Sequence, residues 1–166
     1  MKTRKQFLAI VMAVAMLAGF SLVSNAKEAN KTPNVVEIAV SNPDFSILVE
    51  AVAKADLAQA LSADGPFTVF APTNKAFETL FKQLDINGID DLTAAQLKPI
   101  LMYHVVAGKV MSTDLSNSMV GTLNQGKSLR IDLSKGVMIN ESKVVAADIA
   151  GKNGVIHVID KVLIPQ

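Results

Sequence analysis

The hydrophobic repeat of this chain changes period once, close to Gly108, and that change restricts the folds open to it. Before it, apolar residues recur with helical spacing: Phe45, Leu48, Val49 and Val52 fall at i, i+3, i+4 and i+7, and Phe77, Leu80, Phe81 and Leu84 repeat the stripe. After it they alternate. In "SLRIDL", Leu129, Ile131 and Leu133 are expected on one face and Ser128, Arg130 and Asp132 on the other. Helices gathered in one half and strands in the other predict an α+β fold, not an alternating parallel sheet.

Local signals divide both halves. The helical section from Val35 to Leu61 is interrupted by "SNPD" at 41–44 and ended by "ADGP" at 63–66. "FTVF" at 67–70 reads as a strand, and "APTNKAF" turns it into a helix with Thr73 or Asn74 as N-cap. Thr93 and Gln96 form a capping-box pattern opening another helix, which Pro99 is expected to split in two. "VVAG" then switches to strand-like residues. Turn chemistry in "NQG", "SKG" and "GKNG" separates "SLRIDL", "KVVAADIA" and "GVIHVIDKVLI", predicting a meander of short antiparallel strands.

The N-terminus carries a different message. Lys2, Arg4 and Lys5 precede an apolar run from Phe7 to Val23, and small residues Ser24 and Ala26 follow. This is the pattern of a secretory signal peptide over residues 1–26, cleaved after Ala26. Gly19 and Ser21 interrupt the run, which is shorter than the roughly 20 residues of a spanning helix, so no stable membrane insertion is expected after cleavage. "KEANKTPN" at 27–34 reads as a flexible leader, and residues 35–166 as one domain. The expected location is exported, periplasmic or extracellular. The chain has no cysteine, which excludes lipidation after the signal and leaves stability to packing in a compartment that permits disulfides. The signal holds three of the 16 basic residues and none of the 15 acidic ones, so the remainder carries 13 against 15, a balance of −2. With no basic run there, nucleic acid is not an expected partner.

Catalytic patterns are sparse. Two histidines 53 positions apart and no cysteine make a poor start for zinc. There is no G-x-S-x-G elbow and no H-E-x-x-H, although a Ser–His–Asp set could still assemble through space. The scattered glycines form no phosphate-cradling loop. No tryptophan and one tyrosine leave no stacking platform for a sugar. Neither enzyme activity, metal nor cofactor is expected. His157 inside "GVIHVID" reads as a hydrogen-bonded core residue. Tyr103 and His104 stand where helical spacing gives way to strand. Each is expected to bury its ring there and pair its polar tip with backbone groups left without regular partners. Asp148 can satisfy turn amides, and the methionines at 102, 111, 119 and 138 read as core filler.

Three stretches in register carry a family resemblance. "GPFTVFAPTNKAF" at 65–77, "LMYHVVAGKV" at 101–110 and "NGVIHVIDKVLIP" at 153–165 resemble the two signature boxes and the Tyr–His motif of the fasciclin I domain. The match extends from about Val35 to Pro165. The resemblance implies a small β-sandwich or wedge of short strands with a helical N-terminal flank. It also implies a non-enzymatic extracytoplasmic interaction module, serving cell adhesion or binding a surface or matrix protein or polysaccharide. Two contact spots in animal members map here to Tyr103 and His104, and to Asp148 and Ile149. The second is a partial match: in "AADIA", Ala146 and Ala147 replace an acidic residue and a proline. Some algal members bind carotenoids, so the alternative is a carrier of an apolar small molecule, a carotenoid or a lipid.

Overall fold

The computed structural model describes residues 31–166. The signal peptide expected over 1–26 and the first part of the expected leader, 27–30, lie outside the described residues.

Side-chain caps set the helix starts. Helix α1 (Val35–Ser41) opens on a capping box in which the Asn34 side chain accepts the Glu37 amide and the Glu37 carboxylate accepts the Asn34 amide. The Pro33 carbonyl accepts from the Lys152 amide at 2.8 Å, so the last two residues of the expected leader are tied to the domain. "SNPD" breaks the helical section as expected, through a 3₁₀ turn at Pro43–Phe45 capped by Asn42. Beyond it run α2 (Ser46–Lys54) and α3 (Ala58–Ser62). Strand β1 (Phe67–Pro72) leads into α4 (Asn74–Leu84), whose N-cap is Thr73.

Helix α5 (Ala94–Tyr103) opens on the Thr93–Gln96 capping box and continues through Pro99 without a break. The expected split does not occur. Proline inside a helix costs about 3 kcal/mol, but it removes only one amide here. Leu97 and Leu101, buried on either side of it, hold both halves against the same core.

The strands that follow are β2 (Val105–Ala107), β3 (Ser118–Gly121), β4 (Ser128–Asp132), β5 (Met138–Ile139), β6 (Ser142–Gly151) and β7 (Gly154–Ile159). Their order in the sheet is β2-β1-β7-β6-β5-β4-β3. The antiparallel meander runs from β3 to β7, and one parallel pair, β1 with β7, lies inside the sheet. Two details depart from expectation. Leu133 leaves the strand face and is exposed, because the Asp132 carboxylate accepts both the amide and the hydroxyl of Ser134 and turns the chain outward. Met119 is not core filler: it lies on β3 opposite Arg130 and is 64% exposed.

The sheet curls until its ends meet. Val106 bridges Thr122, and the Leu123 amide donates to the Val105 carbonyl at 2.8 Å. The curl creates two cores. Val69, Ala71, Ile156 and Val158 pack outward against helical residues such as Leu48, Val52, Phe77 and Leu101. Phe70 and Ile159 face inward with Tyr103, Val106, Leu129, Ile131, Ile139 and Leu163. Strand β7 is therefore buried on both faces. This α+β wedge with a helical N-terminal flank is the architecture the sequence pointed to.

Candidate functional site

Helix α5 delivers Tyr103 as its last residue and His104 as its C-cap, where the final helical carbonyls lack intrahelical donors. Both side chains are buried, with 5% and 2% exposure. The Tyr103 hydroxyl donates to the Ser128 carbonyl (3.0 Å) and accepts from Asn140 Nδ2 (3.1 Å). His104 Nδ1 lies 2.8 Å from the Ile100 carbonyl oxygen, and its Nε2 lies 2.9 Å from the Leu163 amide. A carbonyl can only accept and an amide only donate, so the ring is neutral with its proton on Nδ1. Burial pushes its pKa down from 6.5 to about 4, the Ile100 bond opposing in part. The pair thus fastens α5 to β4, the β5–β6 turn and the C-terminal tail.

Asp148 and Ile149 come from the irregular middle of β6, where the register against β7 shifts on both sides of Ala146. Asp148 adopts a left-handed conformation, φ 60°, which side chains other than glycine, asparagine and aspartate rarely take. Its Oδ1 accepts the Ser112 amide at 2.7 Å and its Oδ2 accepts the Ser112 hydroxyl. The Ser112 hydroxyl, and then its amide, hold the Asp148 carboxyl below the usual carboxylate range, against partial desolvation. Ile149 instead pairs with Ile156 and packs half-buried against the helix-side core. The structure therefore does not gather the four residues into one exposed patch. What lies exposed beside Asp148 is Val145, Ala146 and Ala147.

The loop after β2 is pinned by a polar chain. Thr68 Oγ1 donates to the Gly108 carbonyl (2.7 Å) and accepts the Val110 amide (2.9 Å). His157 Nε2 donates to the Val110 carbonyl at 2.8 Å, and its Nδ1 accepts the Asp148 amide at 3.4 Å. His157 is fully buried and stacks on Phe70 with ring centroids 5.6 Å apart. Serine, aspartate and histidine do meet here, yet not as a nucleophile and its base. The Ser112 hydroxyl donates to the carboxylate, and both nitrogens of the imidazole are engaged with backbone groups. No group of three or more metal-ligating side chains occurs among the described residues, and no helix there is long and apolar enough to cross a membrane.

The Fasciclin domain family model matches residues 43–165. The chain belongs to the fasciclin domain family. A relative in Synechocystis sp., Protein sll1483, is 40% identical over 157 residues, covering 94% of this chain and 87% of its own length. Human periostin is 32% identical over 135 residues, covering 80% of this chain but only 16% of periostin. Among solved structures, a FAS1 domain pair from the insect cell adhesion molecule Fasciclin I superposes with a TM-score of 0.68 at 21% identity. It covers 81% of this chain and 51% of that one, so this fasciclin domain spans about half of the pair.

Two residues that organise the site of this fasciclin domain escaped the sequence. Ser112 lies in "MSTD", which carries no periodic signal. Asn153 lies in "GKNG", which reads only as a turn. Yet Asn153 is buried, its Oδ1 accepting the Val35 amide (2.9 Å) and its Nδ2 donating to the Leu61 and Ala63 carbonyls (both 2.8 Å). Only a buried asparagine facing one amide and two carbonyls explains its chemistry, and those partners come from distant segments.

Proposed function

We propose that this fasciclin domain is a non-catalytic, exported interaction module that attaches to a protein or polysaccharide of the cell surface or matrix. One observation carries the reading. The two histidines, the natural general bases near neutral pH, are buried with both ring nitrogens engaged by backbone groups, so neither can reach a substrate proton. What the fold offers to a partner is its outer surface, including the strip Val145–Ala147 beside the pinned loop. Membership of a family that includes a domain pair from an insect cell adhesion molecule supports the same reading. Export rests on the N-terminal pattern of Lys2, Arg4, Lys5 and the apolar run after them. Co-sedimentation of the host-processed protein with envelope fragments of its own host should show saturable binding. Absence of saturable binding, or hydrolytic turnover lost in folded His104→Ala and His157→Ala variants, would overturn the reading.

A cleft between α1, α2, α3 and the sheet favours a second reading, the carrier of an apolar molecule. It is lined by residues such as Val36, Ala39, Val49, Ala53 and Ala58 and encloses about 150 Å³. An engineered apolar cavity of about 150 Å³ holds one benzene. That volume suits a short alkyl segment and is too small to enclose a carotenoid. Organic extraction of the protein from its native host, followed by mass spectrometry, decides between them: a stoichiometric lipid supports the carrier, and an empty protein retires it.

A further inference from the structure

We propose that the glycine-walled cleft between Lys109 and Lys152 binds a carboxylated sugar unit of an acidic polysaccharide. The proposal rests on the surface-attachment reading and gives it a ligand chemistry. The cleft has a volume of about 290 Å³ and its lining includes Asp64, Gly65, Lys109, Lys152 and Gly154. Three segments meet there: the turn before β1, the loop after β2 and the β6–β7 turn. A Cβ on Gly65 would strike the Asn153 carbonyl, and one on Gly154 would strike the Phe67 carbonyl, so at these two positions backbone packs directly on backbone. The floor is fixed in advance. The Asn153 side chain is held by its three bonds, the Phe67 amide donates to the Asn153 carbonyl (3.0 Å), and the Gly108 amide donates to the Pro66 carbonyl (2.9 Å).

Charge selects the ligand class. Lys109 and Lys152 are exposed, and neither has an ion-pair partner among the described residues. With Asp64 they give the cleft a local balance of +1 inside a domain whose charge without the signal is −2. The two ammonium groups therefore favour an anion here over the rest of the surface. No aromatic ring lines the cleft, so a neutral sugar has no stacking surface. An acidic one can pair its carboxylate with a lysine ammonium group and offer ring hydroxyls to the Asp64 carboxylate. The volume lies at the lower end of the roughly 300–1,000 Å³ of small-molecule sites, which admits one ring of a polymer at a time.

The test is titration calorimetry of the host-processed full chain against oligogalacturonate, with dextran as the neutral control and inorganic phosphate as a bare anion. Oligogalacturonate should bind and dextran should not, and paired Lys109→Gln and Lys152→Gln should weaken the uronate by at least about tenfold. Paired Lys75→Gln and Lys82→Gln on α4 should leave binding unchanged, and all variants should melt like the parent. The cleft assignment fails if the parent does not bind the uronate, if both lysine pairs weaken it equally, or if phosphate binds as tightly. Envelope binding measured on the same variants separates the two levels. If it persists while the uronate does not bind, the cleft falls and surface attachment stands. Uronate binding without envelope binding keeps the cleft and removes its place in attachment.

Discussion

At the scale of single residues, His104 gives the sharpest pH dependence. Its pKa is about 4 in the folded protein against 6.5 for the free side chain, so between those values the unfolded chain holds more protons than the folded one. Stability is then fully present above 6.5, falls as pH drops through the window, and has lost about 3 kcal/mol below 4. Urea unfolding at pH 7 and pH 5 should show this fall in the parent. It should be much reduced in His104→Gln, which cannot take up the proton and can still face the Ile100 carbonyl and the Leu163 amide. An equal pH effect in both proteins would assign it elsewhere. Asp148 adds a second, more acidic stage. Its carboxyl is held below the ordinary value, so its contribution is present above that value and disappears as pH falls through the lower, folded one. Tyr103→Phe should cost about 1–3 kcal/mol, by stranding the Ser128 carbonyl and the Asn140 side chain. Surface attachment at 20 °C should survive in Tyr103→Phe wherever the variant remains folded. Attachment lost with unchanged melting would make Tyr103 a contact residue. That these rings sit at a helix-to-strand junction could be read from "LMYHVV"; their partners could not, because Ser128, Asn140 and Leu163 lie 25 to 59 positions away.

At the scale of elements, the period of the hydrophobic pattern located most helices and the meander, and it failed where polar side chains override it. Thr93 with Gln96 and Asn34 with Glu37 close two capping boxes, the first legible from spacing alone. Leu133 follows the alternation in sequence but not in space, since the Asp132–Ser134 turn ends β4 one residue earlier. Strand β3, "SMVG", has no apolar alternation, and its pairing with β4 is what makes it a strand. Pro99 reads as a breaker in the sequence because proline lacks the helical donor, yet burial of Leu97 and Leu101 outweighs one missing bond. Pro99→Ala restores that donor on an exposed face, and the Pro99 carbonyl contact to Asn124 Nδ2 (3.1 Å) uses only backbone on the helix side. The proline's restriction of the unfolded chain contributes about 0.4–1 kcal/mol, less than the helical penalty of about 3. Pro99→Ala should therefore raise stability by about 2 kcal/mol, measured by urea unfolding. A drop in the midpoint would mean that the helix needs the bend.

At the scale of the whole molecule, the fold depends on segments that meet from opposite ends of the domain. Pairing of β1 with β7 brings Phe67 beside Gly154, and Asn153 then reaches Val35, Leu61 and Ala63 from the turn before β7. None of this is visible in a linear pattern, because a two-residue turn and a structural clamp share the same letters, "KNG". Asn153→Asp tests the clamp with almost no change of shape. The carboxylate keeps an acceptor for the Val35 amide, but where Nδ2 donated to two carbonyls it presents an oxygen, so two bonds become two repulsions. Removing one buried partner leaves its mate unsatisfied at about 1–3 kcal/mol, and the added charge is desolvated. At pH 7 the variant should lose at least about 3 kcal/mol, more than Asn153→Ala, which only strands the same groups. Burial and the two carbonyls would raise the new carboxyl's pKa above the ordinary Asp value. The loss should then shrink as pH falls through that raised value, where the protonated acid can donate to one carbonyl again. Unfolding free energies of parent, Asn153→Ala and Asn153→Asp between pH 7 and pH 4.5 measure this directly. The parent's own fall from His104 cancels in the differences. An Asp variant no worse than the Ala variant, or a gap between them that does not narrow with acid, would mean that the clamp is not what joins the helical flank to the sheet.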